Sequence, residues 1–162
     1  MLLLAAYAGL RRGEIAGLAW ADIDTDNDLI QVTGKGRHQR VVPLSPVVRD
    51  ALTAERYRRR TGQFGPGWRF TPDPRSPFVF PGRSEGHMSP DSVGAILTGI
   101  LGSGWTAHTL RHRFGTTAYK KTKDLRAVQE LLGHSKPETS ARYAAVDADD
   151  LRAAVLAVAD DF

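Results

Sequence analysis

The sequence predicts an α+β fold that is mainly helical, with helices around one small antiparallel β-hairpin. Three observations predict it. Polar cap signatures recur ahead of apolar-periodic runs, at Ser45–Pro46, Ser89–Pro90–Asp91, Thr106 and Asp124. Two β-rich runs, LIQVT and RVVPL, stand together and flank GKGRHQ, with glycines at the bend. The chain has 162 residues, enough for one domain with its own core, and its apolar and charged fractions are those of an ordinary globular protein.

The elements follow in order. Leu2 to Gly9 has a helical pattern that Gly9 breaks, and Arg11 lies in the turn. Glu14, Ile15, Leu18 and Trp20 continue a second short helix with one buried face. DIDTDND is a polar turn before the hairpin, and Lys35 sits at or beside the hairpin tip. Ser45 caps a helix to about Arg60, with Pro46 in its first turn, burying Val47, Val48, Leu52 and Tyr57. Residues 61–77 are rich in Gly and Pro and read as a surface loop, and FVF reads as a short strand. Ser89 opens a helix to about Leu101. Thr106 caps the helix that bears His108 and Arg111. Asp124 caps the next, which Gly133 ends. Pro137 starts a short helix ending near Tyr143. Asp147 caps a tail helix over 147–162 that carries Leu151, Val155, Leu156 and Val158.

Composition narrows the function classes. With no cysteine there is no disulfide framework and no thiol chemistry, which fits a cytosolic setting. MLLLAAYAGL is apolar but only ten residues long, too short to cross a bilayer, and it lacks the flanks of a signal peptide. The net charge of +4 is unevenly placed. Residues 35–60 carry eight Lys/Arg against Asp50 and Glu55, and residues 105–126 carry six against Asp124. Residues 147–162 carry five aspartates against Arg152. Two basic blocks beside an acidic tail suit a polyanion on one face, and a solvated surface gives the same pattern.

The chemistry begins at Thr106. His108 and Arg111 are three apart, on one side of a helix, in first turns whose N–H groups favour an anion. Arginine offers a phosphate two parallel hydrogen bonds, and a histidine beside it exchanges protons near neutral pH. Alone, the pair is weak, because a structural histidine near a surface arginine looks the same. His134 follows a helix end, where the dipole favours a histidine in any case. Tyr143 is a nucleophile only among cations or beside a base, since its phenol titrates near pH 10. Otherwise it is a buried tyrosine. Other motifs fail on spacing. Gly34-Lys35-Gly36 lacks the remaining elements of a P-loop. His108 and His112 have no third ligand, so no metal is expected. His112 falls on another side of the helix from Arg111 and reads as structural.

Taken together, AGLRRGE, VTGKGRHQRVVPL, HTLRH, LLGHS and the RY nine residues later resemble, in order and over nearly the whole chain, the catalytic domain of the tyrosine recombinases, the phage integrase family. The LLGHSKPETSARYAAVDADDLRAAV run is most similar to integrases of actinobacterial phages or prophages. The resemblance implies site-specific DNA recombination, integration or excision, through a covalent 3′-phosphotyrosine. Tyr143 would be the nucleophile. Arg11 and Arg111 would clamp the phosphate, His134 would hydrogen-bond it, His108 would assist as base, and Lys35 would protonate the leaving 5′-oxygen. Glu14 would support the Arg11 loop. No cofactor would be needed.

Arg37, Arg40, Arg58 and Arg59 are read as DNA contacts. The implied partners are double-stranded recombination sites, further copies of the chain in a homotetramer on DNA (with a monomer in isolation) and an accessory DNA-bending protein, in the cytoplasm of a bacterial host. Family members place helical DNA-binding domains first, so 1–162 is read as a catalytic domain truncated at its N-terminus. Two other readings stay open: relaxation of DNA like a type IB topoisomerase, and a DNA-binding fragment that cannot cut on its own.

Overall fold

The computed structural model describes residues 1–34, 36, 38–63, 73–82, 86–102, 104–133 and 148–159. Helices surround a three-stranded antiparallel meander, as the cap and hairpin signals require. α1 (Leu2–Tyr7) buries Leu4, Ala5 and Ala6 and stops before Gly9. Gly9 has φ +62°, and a Cβ there would lie 2.6 Å from Cδ1 of the Phe114 ring. Only glycine combines that backbone with that approach. α2 (Arg12–Ala16) follows, with Arg11 as its N-cap.

β1 (Ile23–Asp24), β2 (Leu29–Thr33) and β3 (Gln39–Pro43) form the meander in that order. The DIDTDND turn is held by Asp24, which accepts from the Asp26 and Asn27 N–H groups at 3.1 and 3.0 Å. Ile30 pairs with Val42, and Val32 with Arg40. Ile30, Val32 and Val42 are buried on the inner face. Arg40 shares that face, because side chains two apart on a strand point the same way.

α3 (Pro46–Thr61) has Ser45 as N-cap and Gly62 (φ +68°) as C-cap. Val48 and Leu52 are buried, whereas Val47 and Tyr57, expected inside, are exposed. Tyr57 comes nine residues after Val48, two and a half helical turns, so it emerges on the opposite side. Val47 sits about 100° from Val48 around the helix.

The FVF run is not a strand but an extended clip. Ala19 pairs with Phe78, the Trp20 N–H donates to the Pro77 carbonyl at 2.8 Å, and the Met88 N–H donates to Phe80 at 2.7 Å. Pro77 and Pro81 flank the run, and neither has an N–H for a longer ladder.

α4 (Pro90–Leu101) is capped by the Ser89 hydroxyl, which accepts from the Ser92 N–H at 3.1 Å. α5 (Ala107–Thr122) starts with a reciprocal pair: Thr106 Oγ1 accepts from the Thr109 N–H at 3.2 Å, and Thr109 Oγ1 accepts from the Thr106 N–H at 2.7 Å. α6 (Leu125–Leu132) is capped by Asp124 and closed by Gly133 at φ +60°. A Cβ on Gly115 would lie 2.9 Å from Leu132 Cδ1, so glycine sets the close approach of α5 and α6. α7 (Ala148–Ala159) packs on its own chain, against α5, α6, α1 and β3. It buries Ala154, Val155 and Val158, and Arg152 donates to the Asn27 carbonyl at 3.0 Å. Leu156 is turned about 100° from Val155 and is exposed. The expected cap at Asp147 and the helix from Pro137 to Tyr143 lie outside the described residues. Among the described residues, no helix is long and apolar enough to cross a membrane.

Candidate active site

The site is assembled around one buried carboxylate, Glu14. Its side chain is 5% exposed and three arginines surround it. Arg11 binds it twice. Its backbone N–H donates to Oε2 and its Nη1 to Oε1, both at 2.8 Å, which closes the N-terminus of α2 as a capping box. Arg40 reaches in from β3 and grips both oxygens, Nη1 to Oε1 and Nη2 to Oε2, each at 2.8 Å. Arg111 of α5 stands 4.0 Å from Oε2.

The same three arginines meet a second time at the end of α6. Its last carbonyls have no partner within the helix and form the negative end of its dipole. Arg40 Nε donates to the Leu131 carbonyl at 2.8 Å, Arg111 Nη2 to Leu132, and Arg11 Nη2 to Gly133 at 3.3 Å. Arg111 Nη1 also donates to the Gly9 carbonyl. Segments far apart in sequence are thus fixed to one helix terminus. Gly133 matters twice here. Its φ is positive, and a Cβ would fall 3.0 Å from Arg40 Cδ and 3.1 Å from its Nη1.

The electrostatics follow from burial and proximity. Burial alone would raise the Glu14 pKa. Hydrogen bonds from Arg40 and Arg11 and the Arg40 charge outweigh it and bring the carboxyl down to about 2. Arg111 is lowered to about 10, first by burial and then by the charge of Arg11, with Glu14 opposing. Three guanidinium charges against one carboxylate leave an excess of two positive charges. Arg111 is buried, while the Arg11 side chain is 42% exposed and opens the cluster to solvent. Such a cluster can bind a phosphodiester and stabilise charge developing on its oxygens.

The six residues expected to converge divide evenly. Arg11 and Arg111 do come together. His108 lies exposed in the first turn of α5, on the helix that carries Arg111. Lys35, His134 and Tyr143 lie outside the described residues, as does Arg37. Two immediate neighbours of these residues are in the cluster, however. A Cβ on Gly34 would lie 3.8 Å from Glu14 Oε1, and Gly133 carries the carbonyl that holds Arg11. His112 is exposed and within 3.5 Å of the Thr116 hydroxyl. Among the described residues, no group of His, Asp or Glu is placed to hold a metal.

Two expected DNA contacts need correction. Arg59 is buried. It donates to Glu55 at 3.1 Å, to the Phe78 carbonyl at 2.9 Å and to the Val79 carbonyl, and its guanidinium lies 5.6 Å from the Trp20 ring. It shares a helix face with Val48 and Leu52 and staples the FVF segment to α3. Arg40 faces the core, as described. Arg58 is half-exposed and paired with Glu55 at 3.1 Å. Arg40, expected on the surface, belongs to the site. The available signal was strand alternation: two residues before inward Val42, position 40 had to point inward too.

The phage integrase family matches residues 1–150. Tyrosine recombinase XerC of Syntrophus aciditrophicus is 35% identical over 152 residues, covering 90% of this chain and 48% of that protein. The integrase from mycobacterium phage Brujita superposes with a TM-score of 0.70 at 32% identity, over 97% of this chain and 50% of that one. XerH recombinase bound to its difH substrate, in a pre-cleavage complex, superposes with a TM-score of 0.63 at 24% identity, over 83% of this chain and 38% of that one. The chain spans about half the length of the curated relatives it matches.

Proposed function

The chain belongs to the phage integrase family, and from that premise we propose that it cuts and rejoins DNA at specific sites through a phosphotyrosine. Tyr143 Oη attacks the scissile phosphorus. A P–O bond to tyrosine forms at the 3′ side as the P–O5′ bond breaks. His108 takes the phenol proton, and Lys35 delivers a proton to the departing 5′-oxygen. Arg11 and Arg111 clamp the non-bridging oxygens, and His134 donates a further hydrogen bond. A 5′-hydroxyl from the partner strand then attacks the phosphotyrosine and reverses the sequence. The diester bond energy is conserved, so no nucleotide is consumed. Two recombining duplexes offer four scissile phosphates, which suits a homotetramer on DNA.

One observation carries this reading. Arg11 and Arg111, a hundred residues apart in sequence, flank the two oxygens of one carboxylate in a cluster with two excess positive charges. That is the arrangement a phosphodiester needs for clamping. The neighbours of Lys35 and His134, Gly34 and Gly133, adjoin the same cluster, which further supports it.

The test is a nicked recombination-site substrate that traps a covalent adduct stable to SDS. Tyr143→Phe abolishes the adduct and keeps DNA affinity. An adduct persisting in that variant removes Tyr143 as the nucleophile. Relaxation of any supercoiled plasmid, without site preference, would select the topoisomerase reading instead.

A further inference from the structure

We propose that Arg40 is a positioning residue: it locks the hairpin that carries Lys35 to the arginine clamp, and it does not itself touch DNA. The inference rests on the recombinase reading for the role of Lys35 and on geometry for the rest.

The starting point is an inversion on β3. Val41 is 46% exposed, while the Arg40 side chain is only 8% exposed. An apolar residue outside and a guanidinium inside is the costlier choice unless the charge is fully engaged. Arg40 is engaged at each of its three nitrogens. Its Nε and both terminal nitrogens donate, two of them to Glu14 and one to the Leu131 carbonyl. One planar group therefore ties β3 to α2 and to the end of α6. Arg40 pairs with Val32 in the ladder, next to the Thr33–Gln39 pair that ends it. It is the last inward anchor before the hairpin bend. Beyond it, the Gly34 N–H donates to the His38 carbonyl at 2.8 Å.

The other arginines have anchors of their own. Arg111 is held by Gly9 and Leu132, and Arg11 by Gly133 and the Glu14 capping box. Removing Arg40 leaves those contacts in place but releases the hairpin from them. The defect then falls on the leaving-group proton and not on the phosphate clamp. A Lys in place of Arg40 cannot form the fork to both Glu14 oxygens.

The experiment compares single-turnover cleavage of an ordinary phosphodiester with a substrate carrying sulfur at the 5′-bridging position. The thiolate leaves without a proton, so loss of acid catalysis is hidden on the sulfur substrate. Arg40→Met is expected to slow the oxygen substrate by about 100-fold, the scale of a misplaced catalytic group. It should come within about tenfold of the parent on sulfur. Arg40→Lys should behave similarly. Lys35→Ala gives the full sulfur rescue, and Leu52→Ala, a remote core variant, gives none. The salt slope of DNA binding should stay unchanged in Arg40→Met. A fall of about 0.9 would make Arg40 a phosphate contact and overturn the proposal.

Amide exchange of the chain without DNA is measured alongside. Gly34 should exchange at least roughly tenfold faster in Arg40→Met, with the α5 amides unchanged. Unchanged Gly34 exchange, or equal losses on oxygen and sulfur, overturns the proposal. An Arg40→Met chain with fast Gly34 exchange but no adduct even in the parent would instead sink the recombinase reading and leave the coupling established.

Discussion

Replacing Glu14 by Gln removes one charge from a cluster in which that charge meets three cations. The magnitude follows from the carboxyl pKa, about 2 in the folded chain against an ordinary 4.5. That shift corresponds to about 3 kcal/mol of stability at pH 7. A depressed folded pKa contributes fully above the unfolded value and is lost as pH falls from 4.5 towards 2. At pH 3 the same two values leave about 1.4 kcal/mol. Glu14→Gln should therefore be about 3 kcal/mol less stable than the parent in urea at pH 7, with the gap about halved at pH 3. Melting temperature should drop by roughly 10 °C at neutral pH. DNA affinity at low salt should hold or rise, because the excess charge grows from two to three. Equal stability at pH 7, or a gap that stays constant down to pH 3, would refute the view that Glu14 is the ionised counter-charge of the arginines.

Further predictions concern residues whose roles the fold defines. Gly9→Ala forces a side chain into a positive φ and against Phe114 at 2.6 Å, and thermal melting should show a loss of at least about 2 kcal/mol. Ser45→Ala should cost less than about 0.5 kcal/mol in urea, unlike an ordinary N-cap loss of about 1. Its buried hydroxyl makes no cap bond and has no partner, and a loss above 1 kcal/mol would show that it does. Arg59→Ala leaves the Phe78 and Val79 carbonyls without their donor and Glu55 with Arg58 alone, and should cost about 2–3 kcal/mol with the salt slope of DNA binding unmoved. Arg58→Ala should barely change stability, and a slope lowered by about 0.9 would place it on the DNA.

The sequence was most legible where a local rule acts alone. Ser89, Thr106 and Asp124 cap the helices they precede, because a short oxygen-bearing side chain ahead of an apolar run satisfies free N–H groups there. Gly9 and Gly133 are legible as breaks because glycine takes a positive φ without steric cost. Legibility failed where the environment overrode type. Arg40 and Arg59 read as surface cations because arginine normally is one, yet each is drawn inward by carbonyls from segments distant in sequence. Hydrophobicity alone places Tyr57 and Val47 in the core, although helical phase from Val48 and Leu52 sends them outward. The FVF run has strand composition but lies between two prolines. Within the site, order along the chain indicated that Arg11 and Arg111 belong together. It could not show that Glu14 is their common centre, since a glutamate in a short amphipathic helix looks the same whether it meets solvent or three arginines.

The end of α6 presents consecutive carbonyls, of Leu131, Leu132 and Gly133, to three different arginines. A clamp hung from a single terminus moves in common mode. If α6 shifts by a fraction of an ångström, Arg11, Arg40 and Arg111 shift together and keep their mutual spacing. Tolerance to drift is then greatest for displacements of the whole helix end and least for any change that moves one carbonyl relative to the next. A one-residue insertion between Leu131 and Gly133 would put every arginine out of step at once.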